Sequence, residues 1–272
     1  MGTACIIGFD SAWTDNIRAR GAVCALIIGN EEAIRFKPPF QASFKEALEF
    51  INGERRGCDS CFVALDQPTI VPNTTGSRPV DRVAGSLIGF IGGGVQPANR
   101  SRVGMFDEGA PIWRFRRDLG ATEDPEVSRK ARHGIFIVEV FPALALPVFE
   151  VAFNGYRQGA KYNPARKTFR SHDWKAVIET VVRYARSARI EGVEAWTRKL
   201  AARRPPRKAD QDQLDAVLCA LIGYQWRAKP RAESIMIGDL ISGYMISPVD
   251  TSVKARLTAA AAKHRVPVDG II

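Results

Sequence analysis

Short apolar runs separated by polar turns open the chain. Ala4-Cys5-Ile6-Ile7-Gly8-Phe9 ends on Asp10, and residues 4–10 read as a buried strand. Residues 21–29, Gly-Ala-Val-Cys-Ala-Leu-Ile-Ile-Gly, read as a second strand after the polar turn Thr14-Asp15-Asn16. A weaker third strand is expected over 32–37, stopped by Pro38-Pro39. Phe44, Ala47, Leu48 and Ile51 then fall on one helical face, with Ser43 as N-cap and Gly53 as stop. Cys61-Phe62-Val63-Ala64-Leu65 follows and ends on Asp66. Strand, strand, strand, helix, strand is the opening order of the ribonuclease H-like fold. A crossover helix argues for parallel pairing with both sheet faces covered.

Beyond Asp66 the pattern loosens. Gln67-Pro68 closes the strand, a polar loop spans 72–77, and a short helix is expected around 80–90. The rest, up to residue 133, reads as a long irregular insertion over the active-site face. Its Gly92-Gly93-Gly94 lacks the Gly-Lys-Ser/Thr of a phosphate-binding loop and reads as a plain loop. Ile135–Phe141 gives another strand. Trp174, Val177, Ile178, Val181, Val182 and Ala185 mark an amphipathic helix capped by Ser171. A second helix is expected over 190–203, broken by Arg203-Arg204-Pro205-Pro206-Arg207-Lys208, and a third from Asp210 to Trp226. A hairpin, 235–239 to 243–246, and a short helix complete a C-terminal extension over 228–272. The expectation is one α/β domain over 1–272, of ribonuclease H-like fold. Its mixed five-stranded central sheet is flanked by helices, with an insertion after the fourth strand at 67–133.

Carboxylates punctuate this pattern. Asp10 and Asp66 end strands, Glu139 interrupts the third buried run, and Asp212 and Asp215 lie three apart near a helix start. A strand-end carboxylate is costly to bury unless paired or bound to a cation. Asp10 and Asp66 should share the carboxyl edge of neighbouring parallel strands. Asp212 and Asp215 share a helix face. Asp210 suits the helix cap, paired with Gln213, and is read as structural. The set Asp10, Asp66, Glu139, Asp212 and Asp215 is the catalytic candidate. Asp10, Asp66 and Asp215 are its expected ligands to Mg2+ or Mn2+, which take oxygen donors. Two such ions could activate a water and stabilise the leaving oxygen of a phosphoryl displacement.

Charge changes the picture toward a polyanionic partner. The 272 residues carry a net charge of +10. Arg114, Arg116 and Arg117, with Arg203, Arg204, Arg207 and Lys208, are the expected nucleic-acid contacts, DNA and RNA not being distinguished. With 46% hydrophobic and 25% charged residues, the composition is that of an ordinary globular chain. No apolar run approaches the roughly 18 residues of a membrane span. The first residues lack a signal-peptide pattern, so a cytoplasmic location is expected. Cys58-Asp59-Ser60-Cys61 has redox or zinc spacing but no second pair. The histidines, His133, His172 and His264, are scattered, with His133 alone placed to reach the active-site edge.

Gly8-Phe9-Asp10-Ser11-Ala12, Ala64-Leu65-Asp66-Gln67-Pro68, Glu139-Val140-Phe141-Pro142 and Asp212-Gln213-Leu214-Asp215-Ala216 resemble, in order, the predicted ribonuclease H-like nucleases of domain-of-unknown-function family 429. Gly238-Asp239 to Gly243-Tyr244-Met245-Ile246 is similar to that family's tail. The Asp-x-x-Asp-Ala helix also resembles that of Holliday-junction resolvases. There the acid ending the fourth strand is usually Glu; here it is Asp66. The resemblance implies a metal-dependent nuclease. Two other functions fit the same residues: a catalytically silent nucleic-acid-binding module, and a small phosphate-ester hydrolase or nucleotide-binding protein.

Overall fold

The computed structural model describes residues 2–16, 18, 20–29 and 33–271. Six strands form the central sheet among these residues: β1 (Ala4–Asp10), β2 (Gly21–Ile28), β3 (Ile34–Ala42), β4 (Ser60–Asp66), β5 (Gly134–Glu139) and β6 (Ile190–Glu191). Their order is β5-β4-β1-β2-β3-β6. Only β2 runs against its neighbours. The architecture is α/β with a mixed sheet, and its six strands correct the expected five. The sixth, β6, occupies the start of the helix expected over 190–203.

Alternation along the strands separates two cores. Cys5, Ile7 and Phe9 of β1 join Val63 and Leu65 of β4 on one face. Helices α1 (Phe44–Glu54), introduced before β4, and α3 (Pro111–Leu119) cover that face. Between them in sequence lies α2 (Pro79–Phe90). Phe9, Phe44 and Phe115 meet with ring centroids 5.4–5.6 Å apart. Each such pair contributes about 0.5–1.5 kcal/mol beyond area burial. Ile6, Phe62, Ala64, Phe136 and Val138 face the other way. There they meet α6 (Ser171–Ser187), α7 (Val193–Ala202) and α8 (Lys208–Ala228), which follow α4 (Pro125–Lys130) and α5 (Pro142–Phe149) in the chain. Covered on both faces, the strands read as continuous apolar runs rather than alternating ones.

Helix α8 lies close against β1. A Cβ on Gly8 would stand 2.0 Å from the Ala216 carbonyl oxygen and 2.5 Å from the Ala220 nitrogen. The absent side chain is what lets backbone meet backbone there. Cys24 Sγ donates to that same Ala216 oxygen at 3.3 Å. This approach fixes how far the acidic start of α8 stands from the end of β1.

Several boundaries move. β3 runs through Pro38 and Pro39 to Ala42, while its expected first residue, 32, lies outside the described residues. The strand tolerates both prolines because they fall at a register shift between Val23 and Ala25 of β2, where neither has a ladder partner, and β6 on the other edge pairs only with Ile34 and Arg35. Ser43 caps α1 as expected, in a reciprocal box with Glu46, but the helix passes Gly53 to end at Glu54. Ser171 is the first residue of α6 and Arg170 its cap. Segment 67–133 carries three helices, α2, α3 and α4, joined by turns and irregular stretches. α2 packs in a third core with α9 (Thr251–His264) and the hairpin β7 (Ser234–Asp239) and β8 (Gly243–Pro248). α3 belongs to the sheet-covering layer rather than to a flap over the strand ends. No helix among the described residues is long and apolar enough to cross a membrane.

Candidate carboxylate site

Register builds the site. β1 and β4 pair in parallel with Phe62 opposite Ile6, Ala64 opposite Gly8 and Asp66 opposite Asp10. Both aspartates therefore follow residues of the α8 face, at the carboxyl ends of their strands. The chain turns sharply after β1, with Ala12 and Trp13 in the left-handed region at φ 53° and 65°. Such conformations cost non-glycine residues of order 1–3 kcal/mol each and are held only by surrounding structure. Here Ser11 Oγ donates to Gln67 Oε1 (2.5 Å) and Trp13 Nε1 donates to the Asp66 carbonyl oxygen (3.0 Å). The two strand ends are thereby tied to each other.

Helix α8 supplies the second half. Asp210 sits in its first turn and accepts from the Arg207 backbone N–H at 2.8 Å, with Arg203 paired to its other oxygen. It is structural, though as the third helical residue and not the cap. Lys208, Gln211, Asp212 and Asp215 recur at three- and four-residue spacing on one helix face. Lys208 Nζ binds Asp212 Oδ1 one turn along. Gln211 Nε2 donates to Asp215 Oδ2 at 2.6 Å. Tyr162, from the loop before α6, donates its hydroxyl to Asp215 Oδ1 at 2.6 Å.

The acids feel one another. Burial, then the Asp66 and Asp215 charges, holds Asp10 well above the ordinary carboxylate range. Burial, then Asp215 and Glu139, does the same to Asp66. Burial pushes Asp215 up to about 6, against the pull of Lys208 and the Tyr162 hydrogen bond. Asp212 is raised by burial, with Lys208 opposing. Tyr162 is raised by burial and then by Asp215, Asp66 and Asp10. Among the described residues, Lys208 is the cation that acts on all four aspartates.

Glu139 has a cation of its own. It is opposite Leu65, not Asp66, so the period-two alternation sends it to the other face of the sheet. There Arg78, fully buried, holds it with two hydrogen bonds of 2.8 and 2.5 Å and grips Asp81 at 2.7 Å. Thr69 N–H donates to it at 3.3 Å. Burial raises Glu139 to about 7 against the pull of Arg78. Burial would lower Arg78, and the two carboxylates more than reverse that. Glu139 is a partner in an internal ion pair with Arg78, and from there its charge still acts on Asp66.

The basic clusters divide. Arg203, Arg204, Arg207 and Lys208 lead into α8 beside the acids, but Arg203 is spent on Asp210 and Lys208 on Asp212. Arg114, Arg116 and Arg117 ride on α3 across the sheet. Arg116 binds Glu123 and donates to the Thr69 carbonyl oxygen (2.7 Å), bracing the loop after β4. His133 precedes Gly134, which pairs with Ser60 at the start of β4, so it lies at the far end of the sheet from Asp66. All five cysteines are free thiols, Cys5 stands directly across from Cys61, and burial pushes Cys58 up to about 11.

Sequence reasoning missed Tyr162, Gln211, Arg78 and the role of Lys208. Pro79 and Asp81 at the start of α2 mark a helix N-terminus, but nothing local joins Arg78 to Glu139. The chemistry of the donor set suits a hard divalent cation: clustered aspartates and the buried Gln211 Oε1, which has no hydrogen-bond partner. As the side chains stand, no group of three or more His, Cys, Asp or Glu residues among the described residues is arranged to hold a metal ion. The positive charge in the cluster is the Lys208 ammonium. No curated protein and no solved structure matches the chain. Residues 8–237 match one family model, and the chain belongs to that family, the proteins of unknown function termed DUF429.

Proposed function

We propose that this protein is a divalent-metal-dependent nuclease of ribonuclease H-like fold that hydrolyses phosphodiester bonds of nucleic acid. One observation carries the reading: Asp10 and Asp66 stand side by side at parallel strand ends, with Asp215 and Asp212 of α8 in the same electrostatic cluster. The opening order β1, β2, β3, α1, β4 supports the fold. Asp10, Asp66 and Asp215 would hold Mg2+ or Mn2+, which when bound would activate a water and stabilise the leaving oxygen. Tyr162 and Gln211 orient the Asp215 carboxylate from both of its oxygens. Arg204 and Arg207, exposed beside the acids, offset their repulsion of a phosphate backbone.

A second reading has one observation in its favour. Lys208 already neutralises part of the cluster, as in a silent nucleic-acid-binding module that keeps its acids through an internal counter-ion. Cleavage separates the two. Single- and double-stranded DNA and RNA oligonucleotides are incubated with Mg2+ or Mn2+, alongside a mononucleotide ester. The nuclease reading expects polynucleotide cleavage that Asp10→Asn and Asp215→Asn each reduce by about a thousandfold or more. Binding without cleavage of any polynucleotide favours the silent module. Turnover of the ester alone favours a small phosphate-ester hydrolase.

A further inference from the structure

Lys208 is the first residue of α8, and its ammonium binds Asp212 one turn on. Its positive charge is felt also at Asp10, Asp66 and Asp215. Half of its side chain nevertheless remains in solvent, whereas Asp212 is buried. A lysine has a flexible four-carbon stem and a compact charge, so its head can leave a site without moving the helix. Beside it, Gln211 is nine-tenths buried with its Oε1 unpartnered, while its Nε2 is committed to Asp215. A buried amide oxygen without a donor is costly and is satisfied by a cation or a bound water. The cluster thus holds one monovalent cation at its rim and a spare hard-oxygen donor further in.

We propose that Lys208 is a tethered counter-ion that occupies the cation position of the Asp10–Asp66–Asp212–Asp215 cluster and is displaced outward when a divalent cation enters. The displaced ammonium then joins Arg204 and Arg207 on the solvent side, where it meets a phosphate. This rests on the metal-binding reading above and adds a control to it. The apparent metal affinity is set by competition with the protein's own lysine, and a polyanion that captures the released ammonium strengthens metal binding. By reciprocity the metal strengthens polyanion binding by the same factor.

Mn2+ binding, read by electron paramagnetic resonance without reference to cleavage, tests the proposal. Lys208→Met is expected to bind Mn2+ about tenfold tighter than wild type, and Lys208→Arg to stay near wild type. In the wild-type protein, the Lys208 ammonium resonance in 15N spectra, assigned by its loss in Lys208→Arg, should move toward that of a free lysine as Mg2+ is added. This second measurement stands even where Lys208→Met does not fold. Equal or weaker Mn2+ binding by a folded Lys208→Met, or a Lys208 resonance that ignores saturating Mg2+, overturns the tethered counter-ion while leaving the metal site intact. Failure of both wild type and Lys208→Met to bind Mn2+ overturns the counter-ion and the metal site together.

Discussion

Asp10 and Asp66 are registered partners at the last position of the parallel pair β1 and β4, so two carboxylates meet where the sheet ends. Like charges at that separation raise each other's proton affinity, and burial adds to it. The result is a site under electrostatic load before any partner arrives.

That load has a sign. Asp10 and Asp66 are held well above the ordinary carboxylate range, and Asp215 near 6. In an unfolded chain all three would titrate near the ordinary value of about 4. The folded protein therefore binds more protons than the unfolded one from about pH 4 through 6 and above, and stability falls as pH rises through that window. Asp66→Asn removes one loaded carboxylate. In chelator-treated protein at about pH 7.5 it should melt about 2–4 °C above wild type, with the gap closing near pH 4.5. Calorimetry at the two pH values checks this; a variant that melts lower at both would show the load to be fully compensated.

Tyr162→Phe tests the hydroxyl on Asp215. That bond favours the charged carboxylate, so its loss should raise the Asp215 pKa above about 6. It should cost about 1.5–3 kcal/mol at neutral pH and less in acid, where Asp215 is protonated. Denaturant melts across pH measure it; a cost that does not change with pH would mean the bond serves both protonation states equally.

Arg78, Glu139 and Asp81 form a buried ionic network. Arg78→Met leaves two buried carboxylates without their cation and should cost about 3–5 kcal/mol. Glu139→Gln in the same chain should recover part of that loss. A double-mutant cycle by urea unfolding gives the coupling. Additive losses would show that Arg78 and Glu139 do not act as a pair.

Gly8→Ala drives a methyl into the Ala216 carbonyl of α8. Overpacking against backbone should cost about 3 kcal/mol or more, since neither β1 nor α8 can yield without moving the sheet. It should also blunt any Mn2+-induced rise in melting temperature, because α8 carries Asp212 and Asp215. Normal stability in Gly8→Ala would refute the close approach.

If nucleic acid binds, Arg204 and Arg207 should each neutralise a phosphate. Replacing both with Gln should weaken affinity for all sequences alike and lower the salt slope by about one for each phosphate no longer neutralised. Filter binding at several salt concentrations measures the slope. An unchanged slope would place the polyanion elsewhere.

Asp10 and Asp66 were legible in sequence because a carboxylate closing an apolar run leaves few structural alternatives. Asp212 and Asp215 were legible because helical spacing is local. Glu139 closes a run just as plainly, yet its face depends on whether β5 sets residue 139 or 140 beside Asp66, and no local pattern encodes that register. Tyr162 and Arg78 reach their partners across 53 and 61 residues, distances over which sequence periodicity carries nothing. The helices α3 and α5 were hidden for a different reason. Both are short, and α5 contains Pro147 in its interior, so length and, in α5, propensity outweighed the helix-start prolines Pro111 and Pro142.

The family match stops at residue 237, inside β7, while β8 lies beyond it. Tyr244 and Ile246 of β8 are wholly buried; Ile246 bridges to Val140, and the Glu139 backbone N–H donates to the Tyr244 hydroxyl at 3.3 Å. A protein trimmed at the end of the matched span would lose half of that hairpin and uncover the flank of β5. The unit that must be kept for folding is longer than the matched span, and any minimal version for crystallography or screening has to run through α9, which packs in the same core as α2 and the hairpin.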